Sequence, residues 1–268
     1  MKTVFVLALC VAAVLGTELR YGFPSFQRSP FTGRVVGGKE APAHAAPYIV
    51  SLQFLGSHFC GGSLIGDKYV LTAAHCMAYP SLLVSAVAGL HNVKGTSGSQ
   101  SRSVSKQIQH ESYGGDVGPY DIGVIVLSKA FDLNENIKAI SLPAAGAIHS
   151  GYGTLYGWGS ISDTNSAVMP TNLMTVTKPI IEYSACEAHL GGPGASPLAD
   201  TNICTGPLTG GVSACSGDSG GPFVQANASG NLEIIGVVSW GYIPCGSVDA
   251  PSVYTRVSAY VDWINKNI

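Results

Sequence analysis

The chain has 268 residues, of which 46% are apolar and 11% charged, with 34 glycines and 15 prolines. This balance fits a turn-rich globular protein with a large core and excludes a disordered chain. The formal net charge is −2, and beyond residue 34 ten Lys/Arg stand against fifteen Asp/Glu, a balance of −5, so no basic patch points to nucleic acid.

Met1 and Lys2 precede an unbroken apolar run from Val4 to Leu15 that reaches small Gly16. The pattern predicts a secretory signal peptide over residues 1–16 and an extracellular location. The run falls short of the roughly 20 residues a membrane-spanning helix needs, and no later segment is long and apolar enough, so no membrane partner is expected. From Thr17 to Arg34 the chain carries Pro24 and Pro30 and shows neither helical nor alternating period, which reads as a propeptide. Cys10 falls in the signal, leaving Cys60, Cys76, Cys186, Cys204, Cys215 and Cys245. An even number suits an oxidising compartment, and counting leaves the connectivity open. The wide spacings and the lack of any C-x-x-C argue against zinc.

Beyond residue 34 come short β-rich runs divided by turn residues: Tyr48 to Phe54, Gly62 to Ile65, Tyr69 to Thr72, Leu82 to Ala88, Ile122 to Leu127, Thr154 to Trp158, Leu173 to Ile181, Glu233 to Trp240 and Ser252 to Val257. Such spacing predicts an all-β sandwich or barrel. One turn of helix is expected over Ala73 to Met77 and a short helix near Tyr183 to Leu190. A terminal helix is expected where Ser258 caps a run whose Tyr260, Val261, Trp263 and Ile264 recur at helical spacing. Gly95 to Ser103 reads as a solvated loop and Pro143 to Ser150 as a linker between halves.

Chemistry concentrates in three segments. Cys215 to Pro222, C-S-G-D-S-G-G-P, joins a candidate nucleophile, Ser219, to a carboxylate and a glycine-rich turn. Leu71 to Cys76, L-T-A-A-H-C, supplies a candidate base, His75, and Asp121 leads into the apolar run D-I-G-V-I-V-L. A serine hydroxyl is a poor nucleophile at neutral pH, so it needs a base within hydrogen-bond reach and a third group to hold that base in one tautomer. The other mature-chain histidines, His44, His58, His91, His110, His149 and His189, have no comparable setting.

On these motifs the chain resembles the trypsin/chymotrypsin-family serine proteases from about Val35 to Ile268, and is most like a chymotrypsin-like secreted digestive enzyme. Val35-Val36-Gly37-Gly38, Gly157-Trp158-Gly159 and Ser239-Trp240-Gly241 carry the resemblance further. It implies two packed six-stranded antiparallel β-barrels with a C-terminal helix, and one protease domain over residues 35–268. It implies disulfides Cys60 to Cys76, Cys186 to Cys204 and Cys215 to Cys245. His75, Asp121 and Ser219 then form the triad, and the N–H groups of Gly217 and Ser219 the oxyanion hole. Ser239, Trp240 and Gly241 pair with substrate backbone.

The resemblance also implies a zymogen. Cleavage after Arg34 frees the amino group of Val35, which pairs with Asp218 and orders the turn carrying Gly217. Ser213 becomes the floor of the specificity pocket, with Gly241 and Ser252 on its walls. An uncharged floor leaves a substrate Arg or Lys without a counter-charge and suits aromatic or large apolar side chains, although Asp249, swung inward, would restore basic specificity. Activation then needs a separate trypsin-like protease. The expected partners are protein or peptide substrates and protein protease inhibitors, acting on a monomer. No cofactor or metal is expected, since Leu90 stands where some relatives ligate calcium. Asn227-Ala228-Ser229 is a candidate glycosylation sequon. The alternatives are an elastase-like or collagenolytic protease, and a secreted binding protein on a catalytically dead version of the fold.

Overall fold

A computed structural model describes residues 36–268; the expected signal peptide, propeptide and Arg34–Val35 junction lie outside the described residues. After a two-residue strand β1 (Lys39–Glu40), six strands follow: β2 (Ile49–Phe54), β3 (Ser57–Leu64), β4 (Tyr69–Thr72), β5 (Val84–Ala88), β6 (Gln100–Gln109) and β7 (Gly123–Leu127). These close an antiparallel barrel in the order β2-β3-β4-β7-β6-β5. The second half supplies β8 (Tyr152–Gly157), β9 (Met174–Ile181), β10 (Asn202–Thr205), β11 (Pro222–Ala226), β12 (Leu232–Trp240) and β13 (Ser252–Arg256). They run β9-β10-β13-β12-β11-β8, and pairing of β8 with β9 closes a second six-stranded barrel. β1 joins that second barrel by pairing Lys39 with Thr175 and Glu40 with Met174.

Closure removes the sheet edges and leaves the inward faces to pack. Val50, Leu52, Leu64, Val70, Ile125 and Leu127 are buried in the first barrel, and Leu155, Phe223, Ile235 and Tyr254 in the second. Burying each such large side chain favours folding by about 1.5–3 kcal/mol. The first cluster continues into Trp158, Val237, Tyr260 and Ile264 of the second half, so the barrels share an apolar seam.

The predicted runs all contain strands, with ends shifted by one to several residues, and Tyr69–Thr72 matches at both ends. β1, β6, β10 and β11 were not anticipated. β6 overlaps the expected loop Gly95–Ser103, because its sequence, QSRSVSKQIQ, is polar at all but two positions and its ladders with β5 and β7 impose the extended form. The helix near Tyr183 is present as α1 (Tyr183–His189). The terminal helix α2 (Val261–Lys266) starts later than expected and Ser258 does not cap it. That hydroxyl instead donates to the Ala147 carbonyl at 2.6 Å, and residues Val257–Ala259 form a 3₁₀ turn.

Candidate active site

His75 sits in a 3₁₀ turn (Ala74–Met77) directly after β4, and the Cys60–Cys76 disulfide ties that turn to β3. Asp121 immediately precedes β7. The residue before it, Tyr120, has φ +64°, a left-handed backbone unusual for an aromatic residue, and its N–H donates to Tyr260 Oη at 3.2 Å. The result is a two-point grip. Asp121 Oδ1 accepts the His75 backbone N–H at 2.9 Å, and Oδ2 lies 2.8 Å from His75 Nδ1. A carboxylate only accepts, so Nδ1 carries the proton and Nε2 is the basic nitrogen. Asp121 is 2% exposed, and its charge is further compensated by Ser239 Oγ, which donates to Oδ2 at 2.6 Å. A bulge between Val238 and Trp240 sets Ser239 apart from the β12–β13 register. Thr255 Oγ1 donates to the Asp121 carbonyl at 2.7 Å.

Ser219 comes from the other barrel, on the turn between β10 and β11. Its carbonyl accepts the Gly61 N–H at 2.7 Å, and a Cβ on neighbouring Gly220 would meet Cys76 Sγ at 3.1 Å, which sets this turn against the His75 turn. Ser219 opens into a pocket of about 130 Å³ lined by Ala214, Ser216, Ser239, Trp240, Gly241 and Tyr242 among others. No hydrogen bond within 3.5 Å joins Ser219 Oγ to His75 Nε2 among the described residues. Cys60, His75 and Cys76 offer ligand atoms within 4.8 Å of one another, but both sulfurs are consumed in the disulfide, so the trio is not a metal site. The other disulfides are Cys186–Cys204 and Cys215–Cys245, the pairings the resemblance implies.

Gly217 has φ +97°, where a side chain would be strained. Its carbonyl is held by His58 Nε2 at 3.0 Å, and His58 Nδ1 lies 2.9 Å from Ser51 Oγ. Because a carbonyl cannot donate, Nε2 bears the proton and Nδ1 accepts from Ser51. Burial lowers the pKa of His58, with the Gly217 bond opposing. Asp218 is buried between the barrel strands, its Oδ1 accepting the Gly159 N–H at 2.8 Å and its Oδ2 the Cys215 N–H at 3.0 Å. Burial pushes its carboxyl up to about 6, while those two backbone bonds and the charge of Lys178 pull the other way.

Of the expected pocket residues, Gly241 lines the cavity. Ser213 and Ser252 lie behind Ala214, buried, with their hydroxyl oxygens 3.0 Å apart. Asp249 points away: its side chain is 67% exposed and lies 3.3 Å from His189 Nδ1. Asn227 is on the β11–β12 turn, with Nδ2 donating to Glu233 Oε1 at 2.5 Å. Sequence reasoning missed His58 and Lys178, and gave Ser239 only a backbone role. For His58 and Ser239 no local signal exists, since their partners lie 159 and 118 residues away. Lys178 had one: it shares strand parity with Met174 and Val176, on the face of β9 that turns inward.

Comparison with known proteins agrees with this geometry. The family model described as "Trypsin" matches residues 35–264. "Lectizyme" of Glossina austeni is 42% identical, covering 100% of this chain and 97% of that protein. "Trypsin" of Squalus acanthias is 40% identical and "Trypsin" of Sus scrofa 38%, each alignment covering 88% of this chain and 96% of the relative. Two six-stranded barrels, a carboxylate–imidazole pair on a turn set against the turn that carries Ser219, and these relatives together place the chain in the trypsin family, as a serine endopeptidase.

Proposed function

We propose that the protein is a secreted zymogen whose cleaved form cuts peptide bonds after neutral, apolar side chains. The observation that carries the catalytic reading is the grip of Asp121 on His75, which puts the proton on Nδ1 and leaves Nε2 as the basic nitrogen. Ser219 Oγ attacks the scissile carbonyl while its proton passes to Nε2, and the negative charge moves to the carbonyl oxygen. The N–H groups of Gly217 and Ser219 hold that oxyanion, each such donor lowering the barrier by roughly 3 kcal/mol. Collapse breaks the C–N bond as the imidazolium returns the proton to the leaving amine, giving an acyl-enzyme. Water repeats the cycle and releases the acid. Asp121 stays ionised and stabilises the imidazolium. The open hydroxyl–imidazole distance is usual without substrate, and the bond tightens in the complex.

Cleavage after Arg34 would create an ammonium at Val35 for Asp218. Two features support this role. Ser213 N–H donates to the Val36 carbonyl at 3.2 Å, which fixes the start of the described chain five residues from Asp218. Burial alone makes the Asp218 carboxyl reluctant to ionise, so a new cation would favour the charged form that orders the turn. The leader of residues 1–16, the three disulfides and the absence of a membrane-length apolar helix among the described residues support secretion.

The preference for neutral side chains is supported by the pocket, whose lining residues, Ala214, Ser216, Trp240, Gly241 and Tyr242 among them, carry no charge, with buried Ser213 behind Ala214 and exposed Asp249 beside His189. Being related to proteins named trypsin fixes the reaction, not the side chain accepted. The test is purified precursor, cut after Arg34 by an added protease, titrated with an organophosphonate and profiled on a mixed peptide library. Labelling of wild type but not S219A, and cleavage after Leu, Met, Phe or Tyr, are expected. Full activity of uncut precursor would sink the zymogen mechanism, and predominant cleavage after Arg or Lys would sink the specificity.

A further inference from the structure

Lys178 is fully buried in β9, with 0% exposure. Its ammonium donates to Ser252 Oγ at 2.7 Å, and that oxygen also accepts the Ala214 N–H at 3.2 Å. With both lone pairs of Ser252 engaged, its own proton goes to Ser213 Oγ at 3.0 Å, and Ser213 donates to the Ala214 carbonyl at 2.6 Å. The ammonium and the two hydroxyls therefore donate in one direction, from a buried cation to the carbonyl of a residue that lines the pocket beside Ser219. Bonds aligned this way polarise one another.

We propose that Lys178 determines the charge preference of the pocket, disfavouring a cationic scissile side chain and favouring an anionic one relative to their neutral isosteres. This rests on the reading of that pocket as the one that takes the scissile residue. Lys178 has no salt-bridge partner within 4.0 Å among the described residues, and both oxygens of Asp218 are occupied by backbone N–H groups. Once the Val35 ammonium takes the charge of Asp218, the Lys178 cation is left as the uncompensated charge behind the pocket. A unit charge several ångströms away, in a protein-like dielectric, shifts relative affinity by about tenfold. Burial pushes Lys178 down to about 7, so the bias is present in the acid range and fades as pH rises through neutrality. The titratable groups facing Lys178 are Asp218 from the nucleophile turn and Tyr254 from β13, whose ring centre is 5.9 Å from Nζ. Burial raises the Tyr254 pKa, which keeps that hydroxyl neutral, and Asp218, held ionised by the Val35 ammonium in the cleaved enzyme, adds a constant background that is the same in wild type and K178M.

The experiment uses enzyme cleaved after Arg34 and matched peptides differing only in the scissile residue, Arg against citrulline and Glu against Gln. In K178M, near pH 6.5, the Arg-to-citrulline ratio of kcat/KM should rise about tenfold and the Glu-to-Gln ratio fall by a similar factor. Opposite movements require a charge effect; both ratios unchanged, or both moving the same way, would overturn the proposal. If K178M does not fold, wild type serves: the same opposite movements are expected between about pH 6 and about pH 8.5, and flat ratios overturn it. Wild type that cleaves neutral peptides with flat ratios removes the role of Lys178 alone, whereas wild type that cleaves none removes the parent reading and this one together.

Discussion

Ser239 and His75 bind the same oxygen of Asp121, the hydroxyl at 2.6 Å and the ring nitrogen at 2.8 Å. The carboxylate is thus held by both barrels, and its orientation depends on their docking. S239A removes a donor to a buried charge, which should lower unfolding free energy by about 1.5–3 kcal/mol in denaturant titration, with a loss of kcat. D121N should cost about 10⁴-fold in kcat, a figure taken from the triad of this family rather than from this site.

His58 acts on the other side of the serine by anchoring the Gly217 carbonyl, whose peptide neighbour supplies the proposed oxyanion donor. H58A should lower kcat about tenfold with little change in KM, part of the effect of losing a donor outright. A change confined to KM in steady-state kinetics would show that the imidazole does not position the turn.

Asp218 gives the uncut precursor a pH signature. Its folded pKa, about 6, is raised above the ordinary 3.8 by burial, so the stabilisation associated with its protonation is present below 3.8 and is lost as pH rises through 6. Denaturant unfolding of S219A precursor should therefore show declining stability over that window. D218N should remove the decline, and cleavage after Arg34 should reduce it.

Lys178 has the opposite sign. Its folded pKa, about 7, is depressed from 10.5, so its contribution is complete above 10.5 and is lost as pH falls through 7. Stability should rise with pH between those values, by up to about 1.4 kcal/mol per unit for one proton, and K178M should lack the slope. Equal slopes in wild type and variant would mean that the lysine titrates normally.

Gly159 makes room for the Asp218 carboxylate, because a Cβ there would collide with all three of its terminal atoms. G159A should displace Asp218, cost about 1–3 kcal/mol, and reduce the fraction of cleaved enzyme that an organophosphonate can titrate. An unchanged titre would separate the carboxylate from the serine turn.

The parts legible in sequence are those with a local cause. Short β-rich runs such as Tyr69–Thr72 mark strands, and glycine, histidine and aspartate motifs mark the candidates His75, Asp121 and Ser219. β6 escaped because Val104 and Ile108 are its only apolar residues, and neighbouring ladders rather than side-chain patterning make it a strand. Ser258 does not cap the helix because Val257–Ala259 form a 3₁₀ turn and the helix begins only at Val261, which leaves the hydroxyl to donate to the Ala147 carbonyl. His58, Ser239 and Thr255 take their meaning from contacts across the two halves, which no spacing along the chain encodes.

Besides the Tyr120–Tyr260 bond, four polar contacts among the described residues cross between the halves of the molecule here: Gly61 to Ser219, His58 to Gly217, Ser239 to Asp121 and Thr255 to Asp121. Each has a proposed catalytic residue at one end. Hydrolysis is therefore a gauge of how the halves are seated rather than of whether either is folded, and gentle heating or dilute urea should silence turnover while both β-cylinders keep their circular dichroism.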